Sequence, residues 1–323
     1  MDRNLAINLV RVTEAAAIES AKYLGRGDKD GADEAAVRAM RKMFSTVDID
    51  GTVVIGEGEM DEAPMLYIGE KVGMGEGFEK VDIAVDPVEG TISVAKGFNN
   101  AISVIAMAPK GNLLHAPDMY MQKIAIGPKA KGKVSLDMPV PDILIATADA
   151  LDKPLDKLTV TMLDRERHHN LIKICREMGC RIKFIMDGDV AAAIDTCFDH
   201  TGIDIMLGSG GAPEGVLAAA AIKCLGGDFQ GRLIAEEDEE YERCMKMGVN
   251  PENLLEMEDL VKGEEVYFAA TGITEGNLLK GVVFGHDDTA ITHSIVMRAE
   301  TGTIRFVEAI HRLSKKPYVY GLK

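Results

Sequence analysis

Tryptophan is absent from the 323 residues, and aromatic side chains make up only 5% of them. The 46% hydrophobic content still permits a substantial core, but a mostly aliphatic one, with the 18 Met residues filling irregular gaps. Met119 and Met121, on either side of Tyr120, accordingly read as packing in a strand rather than as soft-metal ligands. Basic residues are in deficit: 36 Lys and Arg against 52 Asp and Glu leave a net charge of -16. Nucleic acid and anionic membrane are thereby excluded as main partners, and any phosphate chemistry must bring its cations locally. A disulfide scaffold is excluded too. Cys175, Cys180, Cys197, Cys224 and Cys244 are odd in number and form no Cys-x-x-Cys pair, and no basic then apolar leader opens the chain, so a reduced, cytoplasmic setting is expected. No run approaches the ~20 apolar residues of a membrane span. His168-His169 and His286 read as surface or hydrogen-bonded side chains, and the acidic run 236–240 as a solvated helix face.

What is present is a rhythm. Leu5, Leu9, Val12, Ala16 and Tyr23 recur at helical spacing until Gly25-Arg26-Gly27-Asp28 ends the helix. A second helix follows with Ala36, Val37, Met40, Met43 and Phe44 on its apolar face and Asp33 in its first turn. Strand 52–55, loop 56–59 and strand 81–85 come next, and alternating segments near 101–108 and 120–126 continue a sheet. From about residue 156, strands 158–163, 181–186 and 203–207 alternate with helices 167–178, 190–198 and 214–225, the signature of parallel βαβ units. The loops after those strands, 164–167, 187–189 and 208–214, emerge at one carboxyl edge, where α/β proteins bind ligands. The expected fold class is α/β, an α+β layered sandwich whose second half is a parallel βαβ sheet. The expected division lies between a half 1–155 and a half 156–323, in the Asp/Lys/Pro-containing segment 152–157.

Chemistry concentrates at element ends. Asp86-Pro87-Val88-Glu89-Gly90-Thr91 places two carboxylates, a glycine and a hydroxyl where a strand runs out, which suits a metal and a phosphate and is equally ordinary turn chemistry. Asp33, Glu57, Asp86, Glu89 and Glu214 each stand at an element end or beside a glycine. Two divalent ions a few ångströms apart need about that many acidic ligands. Segment 208–215, with four glycines around a helix start, offers N–H groups to an anion or simply makes tight turns. It matches neither a Walker A loop nor a dinucleotide fingerprint. Arg165 and Arg167 are suited to bidentate grip on phosphate, or to solvation at a helix start. Asp28-Lys29-Asp30-Gly31 lacks the glycine placement and the Glu of a calcium loop.

Taken together these residues resemble the class II fructose-1,6-bisphosphatase family, within the lithium-sensitive, metal-dependent sugar and inositol phosphatases. The wider group carries Asp-Pro-(Ile/Leu)-Asp-Gly-Thr, and the Glu at position 89 points to class II. So do Leu24-Gly-Arg-Gly-Asp-Lys29, Ile49-Asp-Gly-Thr-Val-Val-Ile-Gly-Glu-Gly-Glu59, Asp61-Glu-Ala-Pro-Met-Leu-Tyr-Ile-Gly-Glu70, Ala116-Pro-Asp-Met-Tyr-Met121, Asp187-Gly-Asp-Val-Ala-Ala192 and Gly210-Gly-Ala-Pro-Glu-Gly215. The likeness runs from the N-terminus to about residue 310.

The resemblance implies a sugar-phosphatase fold of alternating helix and sheet layers, with the metals held in its first half and the substrate loops in its second. It implies Mn2+ or Mg2+, with Asp33 and Glu57 on one ion and Asp86, Glu89 and Glu214 on a second. Substrate contacts are implied at Glu89, Gly90, Thr91, Tyr120, Arg165, Glu166, Arg167, Asp187, Gly188, Asp189 and Gly211. The implied reaction is hydrolysis of the 1-phosphate of fructose 1,6-bisphosphate, a gluconeogenic step, with Glu57 and Thr91 orienting or deprotonating the attacking water and Thr91 itself as the alternative nucleophile. A sugar bisphosphate is thus the implied partner, and a dimer or tetramer the implied assembly. Sedoheptulose 1,7-bisphosphate, inositol phosphates or a catalytically silent sugar-phosphate sensor are the alternatives. Two departures stand out. The family's Lys-Pro-Arg-His is here Arg165-Glu166-Arg167-His168, so an acid separates the two cations, and Ile92-Ser-Val-Ala-Lys-Gly-Phe98 is unusual for the family.

Overall fold

The computed structural model describes residues 5–58 and 65–316, so Glu59 and Asp61, each part of a motif quoted above, lie outside the described residues. The chain forms two compact units, Met1–Leu113 with Glu264–Lys323 and Leu114–Gly263. The first opens with α1 (Leu5–Ala21), α2 (Lys29–Phe44), β1 (Asp50–Ile55), β2 (Lys71–Val72), β3 (Lys80–Glu89), α3 (Thr91–Lys96) and β4 (Ile102–Pro109). The second holds β5 (Tyr120–Ile126), α4 (Val140–Ala150), β6 (Thr159–Leu163), α5 (His169–Glu177), β7 (Arg181–Ile185), α6 (Val190–Asp195), β8 (Ile205–Gly211), α7 (Ala212–Leu225), β9 (Asp228–Leu233), α8 (Asp238–Lys246) and α9 (Met257–Leu260). The chain then returns to the first unit with β10 (Tyr267–Gly272), β11 (Val283–Phe284), β12 (Thr289–Arg298) and β13 (Thr303–Arg312). The fold class is α/β, as expected.

In the first unit the sheet runs β11-β12-β10-β4-β3-β1-β2, with β13 paired along the whole of β12. Among the described residues only β1 and β3 are parallel neighbours in it. The apolar faces of α1 and α2, among them Leu9, Val12, Ala36, Met40 and Phe44, pack with Ile83, Val85, Ile105, Met107 and Tyr267 in one aliphatic core. Asp28 starts α2 by accepting the Gly31 N–H at 2.9 Å, and Arg41 and Lys42 in the last turn complement its dipole.

In the second unit the sheet order is β7-β6-β8-β5-β9, with β6 parallel to β7 and β8. The βαβ series read from the sequence is present. Strands β5 and β9 add an antiparallel flank, which makes the sheet mixed rather than wholly parallel. Segment 120–126 therefore belongs to this sheet and does not continue the one that holds 101–108. Alternation marks a strand but not the sheet that receives it. The two faces of β5 divide by parity. Ile124 and Ile126 join α4 and α5 in one core, while Gly215 of α7 sits against Met121. The division expected at 155/156 falls inside this unit, where Leu151, Leu155 and Leu158 share that core with α4 and β6.

Candidate active site

The first unit gathers carboxylates at one end of the β1–β3 pair. Ile55 is the register partner of Ala84, so Asp86 stands two residues further along β3 while Glu57 lies two residues beyond the end of β1. Asp33, half-buried on α2, shares a hydrogen bond with Glu57. A bond between two carboxyl groups needs a proton, and burial first of all, with Asp30 and Glu34 adding repulsion, raises the Asp33 pKa against that bond. The hexapeptide 86–91 is not a turn after a strand. Strand β3 continues through Glu89 with one extra residue: Asp86 faces Val104 and Glu89 faces Ile102. Proline lacks the N–H that a regular ladder would use, so Pro87 fits such a bulge, and the Val88 N–H turns to the Asp86 carboxylate at 2.9 Å instead. Gly90, at φ 104°, then turns the chain so that Thr91 becomes the first residue of α3. Glu89 is buried at 1% exposure.

The second unit brings three strand ends to one carboxyl edge, as the parallel rhythm required. Arg165, after β6, donates to the Asp164 carbonyl at 2.9 Å and lies 3.8 Å from Asp187, which follows β7. Arg167 donates from Nε to the Ser209 hydroxyl at 3.0 Å and from Nη2 to the Ser209 carbonyl at 2.8 Å. Its guanidinium lies over the exposed Tyr120 ring, 4.6 Å from the centroid. Glu166, the acid between the two arginines, is exposed. Gly188, at φ 68°, makes the turn that carries the chain from Asp187 to the buried Asp189.

The glycines of 208–211 are strand residues and not a loop, because β8 extends to Gly211 and pairs with Tyr120 through Lys123 of β5. Their service is space. A Cβ on Gly210 would collide with the Asp189 carboxylate and come within 3.0 Å of Lys123 Nζ, and one on Gly208 would lie 3.0 Å from the His168 ring. One on Gly211 would collide with the Glu214 carboxylate.

Lys123 was not singled out in the sequence, yet it is 1% exposed and donates to both Asp189 oxygens, at 2.9 and 2.7 Å. The signal was there: in 120–126 it is the one cation at a core-facing position of a strand, and a buried cation requires a partner. Glu214, in the first turn of α7, has its Oε2 buried with no hydrogen-bond partner among the described residues. Burial raises its pKa, Lys123 opposes that shift, and Asp189 reinforces it. Lys123, His168, Asp189 and Ser209 line one small cavity with Met162 and Leu207.

These donors are hard oxygens, which suit Mg2+ or Mn2+ and not a soft ion. The half-buried Asp33 against Glu57 and the orphaned Glu214 oxygen are both features that a divalent cation would satisfy. Among the described residues no three Asp, Glu, His or Cys side chains are gathered closely enough to enclose a metal by themselves.

An α/β protein with carboxylates at a strand end and paired arginines beside an exposed tyrosine is equipped to handle a phosphate ester. The family described as bacterial fructose-1,6-bisphosphatase, glpX-encoded, matches residues 3–311, and the chain belongs to it. It is 49% identical over 329 residues to fructose-1,6-bisphosphatase 1 class 2 of Escherichia coli, covering 98% of this chain and 97% of that protein. It is 47% identical over 335 residues to a Synechococcus protein named D-fructose 1,6-bisphosphatase class 2/sedoheptulose 1,7-bisphosphatase, covering 96% of each.

Proposed function

We propose that the chain is a metal-dependent phosphomonoesterase that removes the 1-phosphate of fructose 1,6-bisphosphate. The observation that carries this reading is the contact of Asp33 with Glu57 at the end of β1, beside the strand β3 that carries Asp86, in a member of this family. Mn2+ or Mg2+ would be held by Asp33, Glu57, Asp86, Glu89 and Glu214, and would acidify a water and neutralise phosphoryl charge. Glu57 takes a proton from the attacking water, and Thr91, held by the Gly90 turn, orients it. Arg165, Arg167 and Tyr120 take the phosphate that is not cleaved, turning binding energy into orientation. The buried Lys123–Asp189 pair keeps the edge from which these groups project rigid.

The same reading places the protein in the cytoplasm, in keeping with five free cysteines. It also makes it a dimer or tetramer, in keeping with Ile304, Phe306 and Ile310 exposed on β13. The test is inorganic phosphate released from fructose 1,6-bisphosphate with Mn2+ or Mg2+; a folded sample inert with both overturns the assignment. Sedoheptulose 1,7-bisphosphate is the second reading, favoured by the name of the Synechococcus relative. Comparing kcat/KM for the two sugars decides between them.

A further inference from the structure

Among the charged side chains of the second unit's carboxyl edge, Arg167 is exposed yet held at three points. Ser209, which supplies two of them, is itself held by His168. The Ser209 backbone N–H donates to His168 Nε2 at 2.9 Å, and the Ser209 hydroxyl lies 3.2 Å from the same nitrogen. His168 Nδ1 lies 2.8 Å from the Leu163 carbonyl. A backbone N–H can only donate and a carbonyl can only accept, so the ring is neutral with its proton on Nδ1. The hydroxyl shares the single Nε2 lone pair with the Ser209 N–H as the longer arm of a three-centre bond, and its own lone pairs accept from Arg167 Nε–H. Every bond in the series from Leu163 to Arg167 has a consistent direction. The ring is 4% exposed, and only a residue without Cβ at 208, where φ is 150°, lets it approach the strand.

We propose that His168 and Ser209 are positioning residues that fix the Arg167 guanidinium for phosphate. The clamp occupies the Nε–H and one Nη2–H, leaving three of the five guanidinium N–H groups for an anion. Tyr120 beneath the plane restricts its tilt. A side chain of such rotamer freedom would otherwise be ordered only when substrate arrives, at a cost in affinity. The proposal rests on the reading of Arg167 as the grip on the uncleaved phosphate.

The test has two independent readouts. The first is hydrogen exchange at Arg167 Nε–H by NMR on the full chain, the resonance being identified by its loss in Arg167→Lys. Exchange should be slow in the native protein, at least about tenfold faster in Ser209→Ala and His168→Ala, and slow again in Ser209→Thr, which keeps the hydroxyl. Unchanged exchange in Ser209→Ala overturns the proposal.

The second is kinetics with fructose 1,6-bisphosphate and with p-nitrophenyl phosphate, which has no second phosphate. Ser209→Ala and His168→Ala should raise KM for the bisphosphate about tenfold, lower kcat less than about threefold, and leave kcat/KM for the monophosphate in place. In an Arg167→Ala background Ser209→Ala should add nothing. A loss that persists in that background, or falls equally on both substrates, overturns the clamp. A native chain that releases no phosphate from the bisphosphate overturns the enzymatic reading instead, and the exchange rates still decide the clamp.

Discussion

Gly210 carries no side chain because the space where one would stand is taken by the Asp189 carboxylate and Lys123 Nζ. Gly210→Ala should therefore destabilise the protein by about 1–3 kcal/mol through overpacking, read as a lower urea midpoint; an unchanged midpoint would show that the pair can move aside. Lys123→Met should be worse, at about 3–5 kcal/mol, since it strands a buried carboxylate without its cation. Both substitutions act on stability. Under the proposed mechanism, Glu214→Gln and Thr91→Ala act on chemistry. Glu214→Gln removes a charge whose Oε2 has no hydrogen bond among the described residues to lose, and Thr91→Ala removes a hydroxyl at the first residue of α3. Each should lower kcat by about 10²-fold or more while the thermal midpoint holds. Near-native turnover in either would remove that residue from the mechanism.

At the scale of elements, β12 and β13 close on α1 around a directed relay. Lys316 donates to His311 Nδ1 at 2.6 Å, His311 Nε2 lies 2.8 Å from the Thr292 hydroxyl, and that hydroxyl donates to Glu14 at 3.3 Å. Burial first, then Lys316, pushes the His311 pKa down to about 4. A histidine held below its ordinary value stabilises the fold at pH above that value. The contribution is lost as pH falls from about 6.5 toward 4. Glu14, raised by burial, works in the opposite direction, so the comparison must isolate His311. The denaturation midpoint of the native chain should fall more steeply between pH 7 and 4 than that of His311→Gln; parallel curves would refute the relay.

None of this relay was legible in the sequence, because its members are far apart in the chain and each is an ordinary polar residue there. The βαβ rhythm from β6 to α7 was legible, because strand and helix periods differ and repeat. The convergence of Arg165, Asp187 and Ser209 followed from it. The extension of β8 through Gly208 to Gly211 was not, since glycine signals both a turn and a strand crowded by its neighbours, and only the neighbours Lys123, Asp189 and His168 decide between them. The same ambiguity made 86–91 read as a turn, when Pro87 marks a bulge inside β3.

For the whole molecule the governing quantity is charge. With 52 acidic residues and a net charge of -16, the fold carries self-repulsion that divalent cations relieve wherever carboxylates are already adjacent. Asp33 lies against Glu57, and burial with repulsion from Asp30 and Glu34 raises its pKa, so a cation bound there would offset that cost and should stabilise the folded chain over the unfolded one. At about a hundredfold excess over its dissociation constant, an ion that binds only the folded state adds about 2.7 kcal/mol. In a chain of 323 residues, at about 2.1 cal/mol/K of unfolding entropy per residue, that corresponds to a thermal midpoint higher by about 4 °C. EDTA should reverse the rise, sodium chloride at matched ionic strength should not reproduce it, and Asp33→Asn should abolish most of it. A full-sized shift surviving in Asp33→Asn would mean that the ion acts on the acidic surface at large, and the metal would have to be moved away from the end of β1 and β3.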